Sequence, residues 1–231
     1  MNRLQRIDMC LSLMRGLMRV FFQMVYGAWR VSRVPLPVVS FFGGARFKLD
    51  DPYAKQANVL AKKLVEANIS VLTGGGPGIM EAASCGAVPT QGTGRSLGIG
   101  VTDLREPKNP CVQEYFELDY FFARKWLLTH YSVAFVVFPG GFGTLDELAE
   151  VLTLMQTKQL KRAPLILIGK EFWAPFMTWI EEALHHGAVS EQDVRIFSVT
   201  DDLEEAFCSI SNICVLWGQD YYAGKKTRND A

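Results

Sequence analysis

The residues of this chain that are best suited to chemistry form one segment, Pro139 to Glu147, which reads Pro-Gly-Gly-Phe-Gly-Thr-Leu-Asp-Glu. Its three glycines let the backbone approach a ligand closely and adopt positive φ angles. An apolar run precedes the segment and a helical pattern follows it, so its backbone N–H groups would lie at a helix N-terminus, where anions bind. The pattern predicts a phosphate-binding loop with the Glu147 carboxylate one turn behind it.

A structural interpretation of the same residues is also open at this point. Thr144 and Glu147 have the spacing of a capping box, in which a hydroxyl and a carboxylate bond to the first amides of a helix. Two further glycine turns, Gly43-Gly44 and Gly74-Gly75-Gly76-Pro77-Gly78, also follow apolar runs and favour a functional interpretation. None of the three has the spacing of a dinucleotide or nucleoside triphosphate loop. We therefore expect a mononucleotide or sugar phosphate as the ligand.

The segments that must position these turns alternate between two periodicities. Apolar runs predict strands near 38–42, 69–73, 97–101, 134–138, 165–168 and 196–199, and helical patterns lie at 52–67, 78–87, 120–130, 145–157, 172–186 and 203–213. Strands alternating with helices indicate a parallel sheet that is covered on both faces. The expected fold is α/β, a doubly wound Rossmann-like parallel sheet flanked by helices, with an N-terminal helical extension. All three glycine turns then lie at the carboxyl edge of the sheet, where ligands bind.

Length and composition allow one large domain with an extension at each end. The chain has 231 residues, 49% of them hydrophobic, and no net charge, which gives no reason to expect nucleic acid as a partner. Pro35 and Pro37 mark a boundary, so residues 1–35 form the helical extension and 36–215 the nucleotide-binding catalytic domain. Residues 216–231 are expected to be a polar C-terminal tail, frayed over 224–231.

The N-terminal extension combines apolar residues with six arginines and one aspartate, a net charge of +5 that leaves −5 on the remainder. Its longest uncharged run, 20–29, is about half the length that spans a bilayer. We favour packing of its Met, Leu and Phe side chains on the domain or on a partner subunit, because the apolar residues spread round most of the helix. The alternative is an interfacial helix whose arginines face lipid phosphates. We do not expect a membrane surface among the partners.

The numbers and spacing of the cysteines and histidines indicate whether disulfides and metal sites are to be expected. Five cysteines, an odd number without a C-x-x-C pair, indicate reduced thiols that act as small apolar residues, and hence a cytoplasmic location. Three scattered histidines are too few for a metal site. We expect neither a metal nor another cofactor.

Three motifs in this order resemble those of the Lonely Guy (LOG) family, Rossmann-like phosphoribohydrolases that were long mislabelled as lysine decarboxylases. The family's P-G-G-x-G-T-x-x-E motif is matched in full by Pro139 to Glu147, and its triple-glycine turn ending in methionine by Gly74 to Met80. Its Arg-Lys pair is matched by Arg124-Lys125, while Gly44 stands where related chains often have serine. The resemblance covers residues 38–213, and the N-terminal extension is similar to that of the longer bacterial branch.

The resemblance implies hydrolysis of the N-glycosidic bond of a nucleoside 5′-monophosphate, AMP or a cytokinin-type N6-substituted AMP, to free base and ribose 5-phosphate. It implies Arg124 and Glu147 as the catalytic pair. The implied substrate- and phosphate-binding residues are Gly75, Gly76, Met80, Glu106, Lys125, Gly140, Gly141, Phe142, Gly143, Thr144 and Thr153. Family members are commonly dimers, so we expect a homodimer or a higher homo-oligomer.

The residue types agree with this chemistry. Breaking a ribosyl–base bond develops positive charge on the sugar, which a fixed carboxylate such as Glu147 stabilises most in the transition state. Arg124 is permanently charged and cannot donate the leaving-group proton, so we expect it to clamp phosphate or to hold Glu147 ionised. The proton donor is left open between Glu81, Glu106 and solvent.

Other roles and functions stay open from the sequence. Asp146 and Glu150 are alternative carboxylates to Glu147, and Arg124 is also compatible with a surface salt bridge. A carrier that holds a phosphorylated nucleotide-like cofactor without turnover would use the same pocket, and it predicts saturable binding with no release of base. A third possibility is an interaction or membrane-associated protein that binds its partner or the membrane through residues 1–33.

Overall fold

The computed structural model describes residues 3–88, 91–104 and 106–229 and contains a seven-stranded parallel sheet with helices on both faces. The strands are β1 (Val38–Phe42), β2 (Ser70–Thr73), β3 (Ser96–Val101), β4 (Glu114–Leu118), β5 (Ala134–Val137), β6 (Leu165–Ile168) and β7 (Ser198–Thr200). The helices are α1 (Arg3–Val31), α2 (Pro52–Glu66), α3 (Ile79–Gly86), α4 (Phe121–His130), α5 (Phe142–Gln156), α6 (Lys170–His185), α7 (Glu191–Val194) and α8 (Leu203–Asn229). The predicted fold class is confirmed.

The chain winds outward from the centre of the sheet in both directions, in the strand order β4-β3-β2-β1-β5-β6-β7. Val39 of β1 pairs with Val71 of β2 on one side and with Ala134 of β5 on the other. Because the direction of winding reverses between β1 and β5, a crevice opens at the carboxyl ends of these two strands. Glycine turns follow both strands, so the fold brings them to one place.

Consecutive side chains of β1 enter two separate cores. Phe41 belongs to the layer beneath α2, α3 and α8, together with Leu60 and Ile79. Phe42 belongs to the layer on the opposite face, together with Leu127 of α4 and Leu148 of α5. A strand that is buried on both faces needs apolar residues at every position, which explains why these strands appear in the sequence as uninterrupted apolar runs.

The edge strand β4 is missing from the predicted strands. Only Phe116 and Leu118 of its five residues are buried, and the strand includes two glutamates, Glu114 and Glu117. An edge strand faces solvent, so its sequence lacks the apolar run by which the central strands are recognised. The predicted strand at 196–199 corresponds to β7, which lies at Ser198–Thr200.

The N-terminal extension is a single helix whose last turns pack on the domain. Val31 of α1 is buried, and Met24 and Ala28 pack against the same core. Nε of Arg19 lies 2.6 Å from a carboxylate oxygen of Asp119, just before α4. The large apolar side chains of the earlier turns are about half exposed. Among the residues described, no helix is both long enough and apolar enough to cross a membrane.

The last helix extends well past its predicted end at Ile213. α8 continues to Asn229, through residues that we expected to form a polar tail. The fraying expected over 224–231 remains a prediction, and residues 230 and 231 lie outside the described ranges. Lysine and arginine have high helix propensity, so a polar composition does not by itself end a helix.

Two of the five cysteines form a disulfide, which corrects the prediction of reduced thiols. Cys85 of α3 is bonded to Cys111, in the segment before β4, with Cα atoms 4.7 Å apart. Their separation of 26 residues matches no cysteine motif, because only the fold brings the two segments together. Cys10, Cys208 and Cys214 are free. Cysteine usage therefore no longer supports a cytoplasmic location.

Opening this disulfide is expected to destabilise the protein. A cross-link between residues 26 positions apart restricts the unfolded chain and is worth roughly 3 kcal/mol. Reductant should lower Tm by about 6–12 °C, and Cys111→Ser should melt at that lower temperature with or without reductant. Differential scanning calorimetry checks both, with Cys208→Ser, which removes a free thiol, as the matched control. A Tm that is insensitive to reductant would contradict this expectation.

Candidate active site

The glycine turns after β1 and β5 line one cleft of about 700 Å³ at the carboxyl edge of the sheet. It lies at the winding reversal between β1 and β5, and α5 begins on its wall. The predicted site residues that line it are Met80, Glu106, Arg124, Gly140, Gly141, Phe142, Gly143, Thr144 and Glu147. The structure thus brings together residues that are spread over almost seventy positions of the sequence.

Main-chain hydrogen bonds join the three turns to one another. The N–H of Gly44 donates to the carbonyl of Pro139 over 3.0 Å, and the carbonyl of Gly44 accepts from the N–H of Ile79 over 3.1 Å. The turn after β1 therefore connects the turn after β2 with the turn after β5. Gly78 has a φ of 72°, a conformation that glycine adopts without strain, and it leads the chain into α3.

The N-terminus of α5 is open toward the cleft. Gly141 is its N-cap residue and no side chain caps the helix, so the capping box of Thr144 and Glu147 is not formed. A Cβ atom at Gly140 would collide with the Thr144 side chain, whereas at Gly141 or Gly143 it would meet nothing within 4 Å. The helix dipole favours an anion at this open end.

Arg124 of α4 and Glu147 of α5 form a buried ion pair on the cleft wall. Nη2 of Arg124 lies 3.4 Å from Oε1 of Glu147, and the residues are 5% and 9% exposed. Burial raises the pKa of Glu147 to about 7, although the charge of Arg124 opposes that shift. Glu147 therefore changes protonation near neutral pH, as catalytic acids and bases commonly do.

The guanidinium of Arg124 has unused hydrogen-bond donors. Its Nε and Nη1 are buried and have no hydrogen-bond partner among the residues that the structure describes. Buried donors without partners are costly, so an acceptor from a ligand would stabilise them. The Phe121 ring centre lies 5.4 Å from the guanidinium carbon and helps to fix its position. Phosphate oxygens are acceptors whose geometry suits an arginine.

Gly75 and Gly76 support the cleft from behind and are not on its wall. Asn109 is 2% exposed and donates its side-chain amide to the carbonyls of both glycines. A Cβ atom at Gly76 would lie 2.9 Å from Oε2 of Glu106 and 2.9 Å from Cε of Met80. This glycine therefore leaves room for two side chains that do line the cleft.

Two predicted binding residues lie outside the cleft lining. Nζ of Lys125 lies 2.9 Å from a carboxylate oxygen of Asp146 and 2.6 Å from one of Glu150. Thr153 is exposed and borders a separate apolar groove between α5 and α6. The substrate-binding roles of Lys125 and Thr153 remain predictions. Asp146 and Glu150, the alternative carboxylates, are engaged by Lys125 and do not line the cleft.

Part of the cleft wall consists of residues without a recognisable sequence motif. The turn Gly43-Gly44, expected at this edge, lies in the lining, and the lining residues that the sequence did not single out are Ala45, Arg46, Phe47, Leu104, Phe121 and Leu145. The glycine turn after β1 is recognisable, and it could have directed attention to its neighbour Arg46, an exposed positive charge at the cleft. Leu104 and Phe121 carry no local signal, because an apolar residue in a pocket has the same sequence appearance as one in the core. Glu81 does not line the cleft.

Comparison with known proteins identifies nucleotide N-glycosidases among the sequence relatives. A family model described as possible lysine decarboxylase matches residues 80–210. Cytokinin riboside 5′-monophosphate phosphoribohydrolase LOG of Oryza sativa subsp. japonica is 33% identical over 147 residues, which cover 62% of this chain and 60% of that protein. A cytokinin riboside 5′-monophosphate phosphoribohydrolase of Arabidopsis thaliana is 33% identical over 148 residues, 62% of this chain and 68% of that protein.

A bacterial relative is matched over a longer part of this chain. Pyrimidine/purine nucleotide 5′-monophosphate nucleosidase of Escherichia coli (strain K12) is 29% identical over 189 residues, which cover 77% of this chain and 40% of that protein. The chain therefore spans less than two thirds of the rice and bacterial proteins. Among solved structures, the molybdenum cofactor binding protein from Rippkaea orientalis has a TM-score of 0.57 at 21% identity, over 77% of this chain and 96% of that protein. That likeness establishes a shared fold.

Proposed function

This chain belongs to the LOG family of phosphoribohydrolases, and from that membership we propose that it hydrolyses the N-glycosidic bond of a nucleoside 5′-monophosphate. The proposed products are the free base and ribose 5-phosphate, and the proposed substrates are AMP or a cytokinin-type N6-substituted AMP. The observation that best supports the proposal is the buried Arg124–Glu147 pair beside the open N-terminus of α5.

We place the 5′-phosphate of the substrate at the N-terminus of α5. Gly141 and Gly143 leave space there, and the hydroxyl of Thr144 lies on the same wall. The spare donors of Arg124 would bind phosphate or ribose oxygens. Arg46 adds a positive charge at the cleft, which would attract the dianionic phosphate.

The ribose would then lie beside Glu147, one helical turn further along α5. As the bond between C1′ and the base nitrogen breaks, positive charge develops on the sugar, and the ionised Glu147 stabilises it. Water attacks C1′, its oxygen stays on the sugar and its proton passes to Glu147. The departing base nitrogen gains a proton from Glu106, which lies on the cleft wall, or from solvent. The sum is one water consumed for each base released.

Decarboxylation of lysine, which the family description suggests, is not supported by the residues. A lysine that forms a Schiff base with pyridoxal phosphate must lose its proton. Burial alone would lower the pKa of Lys125, but hydrogen bonds and charges from Glu150 and Asp146 outweigh burial and raise it. The chain also lacks a His-Lys pair, which pyridoxal enzymes of that kind use.

The direct test is release of base from nucleotide. We expect adenine and equimolar ribose 5-phosphate from AMP, measured by chromatography and a coupled sugar-phosphate assay. Adenosine, which lacks the phosphate, should react with a kcat/KM lower by at least about 100-fold, because remote binding energy positions the sugar. The same assay with N6-isopentenyl AMP in place of AMP measures the preference for cytokinin-type bases. Saturable AMP binding without release of base would favour a carrier and contradict the proposal.

Two further expectations concern the oligomeric state and the cellular location of the protein. A homo-oligomeric state and a cytoplasmic location remain predictions. The relatives named above act on nucleoside monophosphates, and such metabolites are the proposed small-molecule partners of this chain.

A further inference from the structure

Apolar side chains cover the side of α1 that faces away from the domain. Gln23, Gly27 and Val31 mark the opposite side, because Oε1 of Gln23 accepts a main-chain hydrogen bond from the domain and the other two residues are buried. Residues two positions apart on a helix lie about 200° apart, so Val25 and Trp29 point away from that contact. We call this side the outer face, and its apolar residues, which are 49% to 62% exposed, are Ile7, Leu11, Met14, Met18, Phe21, Phe22, Val25 and Trp29.

The domain holds only the second half of α1. Apart from Gly16, residues 5–18 are all exposed. Attachment begins at Arg19, which pairs with Asp119, and continues through the last turns of the helix. A helical segment as short as residues 5–18 is only marginally stable in water by itself, so its apolar side chains need a surface that covers them.

We propose that α1 lies on the surface of an anionic lipid bilayer, with its outer face in the boundary between headgroups and acyl chains. Residues 1–35 combine these apolar side chains with six arginines and one aspartate, a net charge of +5. A helix of this kind binds a membrane by burying apolar area and by attracting anionic lipid. Since no helix among the described residues could cross a membrane, α1 lies in the plane of the interface. The proposal replaces the expectation of no membrane partner, which relied on the helix being covered.

Arginines flank the outer face at both ends of the helix. Arg15 follows Leu11 by four positions and so lies about 40° from it around the helix axis, and the guanidinium carbon of Arg33 lies 4.8 Å from the ring centre of Trp29. Both arginines are exposed, and neither forms an ion pair within the part of the chain that the structure describes. Their long stems allow the apolar residues to insert while the guanidinium groups stay at the level of lipid phosphates. Tryptophan is enriched at the same level.

Charge favours a lipid surface over a second copy of the helix. Two copies of α1 would bring like charges together, whereas an anionic bilayer attracts each of them. Residues 36–231 carry a net charge of −5, but interactions between exposed charges are screened beyond about 8 Å at physiological salt. The 29 residues of α1 extend over about 43 Å. Its first turns therefore lie outside the range over which the charge of the domain would repel a membrane.

Co-sedimentation of the full chain with vesicles tests the proposal. We expect binding to phosphatidylcholine vesicles that contain about 30 mol% phosphatidylglycerol to be at least about tenfold tighter than binding to phosphatidylcholine alone. Raising the NaCl concentration from about 0.1 M to about 0.5 M should weaken that binding by about tenfold, because salt screens the arginines. The readout is attachment to lipid and does not depend on nucleotide hydrolysis, so failure of the proposed activity would not be confused with failure here.

A pair of double variants tests the contribution of charge. Arg15→Gln/Arg33→Gln removes two positive charges beside the outer face. Lys55→Gln/Lys62→Gln removes two exposed charges from α2, which lies on the opposite side of the sheet. We expect the first variant to bind the anionic vesicles at least about tenfold more weakly than the parent, and the second to bind as the parent does.

A second pair tests the contribution of apolar area without a change of charge. Leu11→Gln/Met18→Gln makes the outer face more polar. Val59→Gln/Val215→Gln makes the same kind of change at exposed positions of α2 and α8, whose side chains are 45% and 61% exposed. We expect the first to weaken vesicle binding by at least about tenfold, and the second to leave it unchanged. Near-UV circular dichroism should show an intact domain in all four variants.

The proposal fails on any of three results. They are no binding of the parent to the anionic vesicles at about 1 mM lipid, equal binding to vesicles with and without phosphatidylglycerol, or parent-like binding by either α1 variant. Sedimentation velocity without lipid identifies the competing occupant. If Leu11→Gln/Met18→Gln lowers the mass of the protein and leaves vesicle binding unchanged, the outer face belongs to a contact between two copies of the chain.

Discussion

Glu147→Gln is expected to reduce kcat/KM for AMP by on the order of 10³-fold or more. The substitution keeps the size of the side chain and removes its ionisable oxygen. The variant can neither stabilise positive charge on the ribose nor accept a proton from water. Because the lost interaction belongs to the transition state, we expect the loss in kcat, with KM changed much less. Initial rates of adenine release, measured over a range of AMP concentrations, separate the two constants.

The neighbouring carboxylates provide matched controls for this variant. Asp146→Asn and Glu150→Gln make the same chemical change one position before and three positions after Glu147. Both carboxylates pair with Lys125 and do not line the cleft, so each variant should keep kcat within about tenfold of the parent. If Glu147→Gln hydrolyses AMP as fast as these controls do, the carboxylate of Glu147 is not part of the mechanism.

Arg124→Ala is expected to lower activity at pH 7 by at least about 100-fold and to move the pH profile. In the parent, the ionised fraction of Glu147 falls about tenfold for each pH unit below its pKa of about 7. Arg124 lowers that pKa by its charge. Its removal therefore raises the pKa of Glu147 further, and the acid limb of kcat/KM must shift to higher pH.

The pH profile shows whether Glu147 acts in its ionised form, as proposed, or as a proton donor. kcat/KM measured from pH 5 to 9.5 should show an acid limb near pH 7 in the parent. In Arg124→Lys, the charge is kept and the planar fork is lost, so we expect a smaller shift of the limb together with a lower plateau. An alkaline limb in place of the acid one would mean that Glu147 acts as a proton donor. If the acid limb of Arg124→Ala lies at the same pH as that of the parent, Arg124 does not set the pKa of Glu147.

The parts of this molecule that the sequence predicts are those with a local pattern. The central strands are buried on both faces and the glycine turns follow them directly, so the sheet, its carboxyl edge and the α5 loop could all be recognised. β4 could not, because an edge strand shares its composition with loops. The Cys85–Cys111 bond could not either, since it depends on how α3 packs beside a distant segment.

Within the site, the sequence left the partner of Arg124 open between phosphate and Glu147. The direct pairing of Arg124 with Glu147 joins two helices and follows from no spacing rule. Lys125 is next to Arg124 in sequence, yet it points to Asp146 and Glu150, because adjacent helical residues lie about 100° apart. The family motif identifies the pair Arg124-Lys125 in the sequence. Which of the two side chains reaches the cleft depends on how α4 packs against α5.

The hydrogen bonds from Gly44 to Pro139 and from Ile79 to Gly44 use only peptide atoms. Apart from replacement of Gly44 or Ile79 by proline, which removes the donating N–H, a substitution that leaves the backbone in place does not delete them. The sensitive positions of this link are the glycines themselves, because a Cβ atom at Gly44 would collide with the Phe47 ring and one at Gly78 with the carbonyl of Gly44. Such a link is compatible with the 33% identity over 147 residues that this chain shares with its rice relative, because peptide N–H and C=O groups are present whatever the side chain, proline excepted.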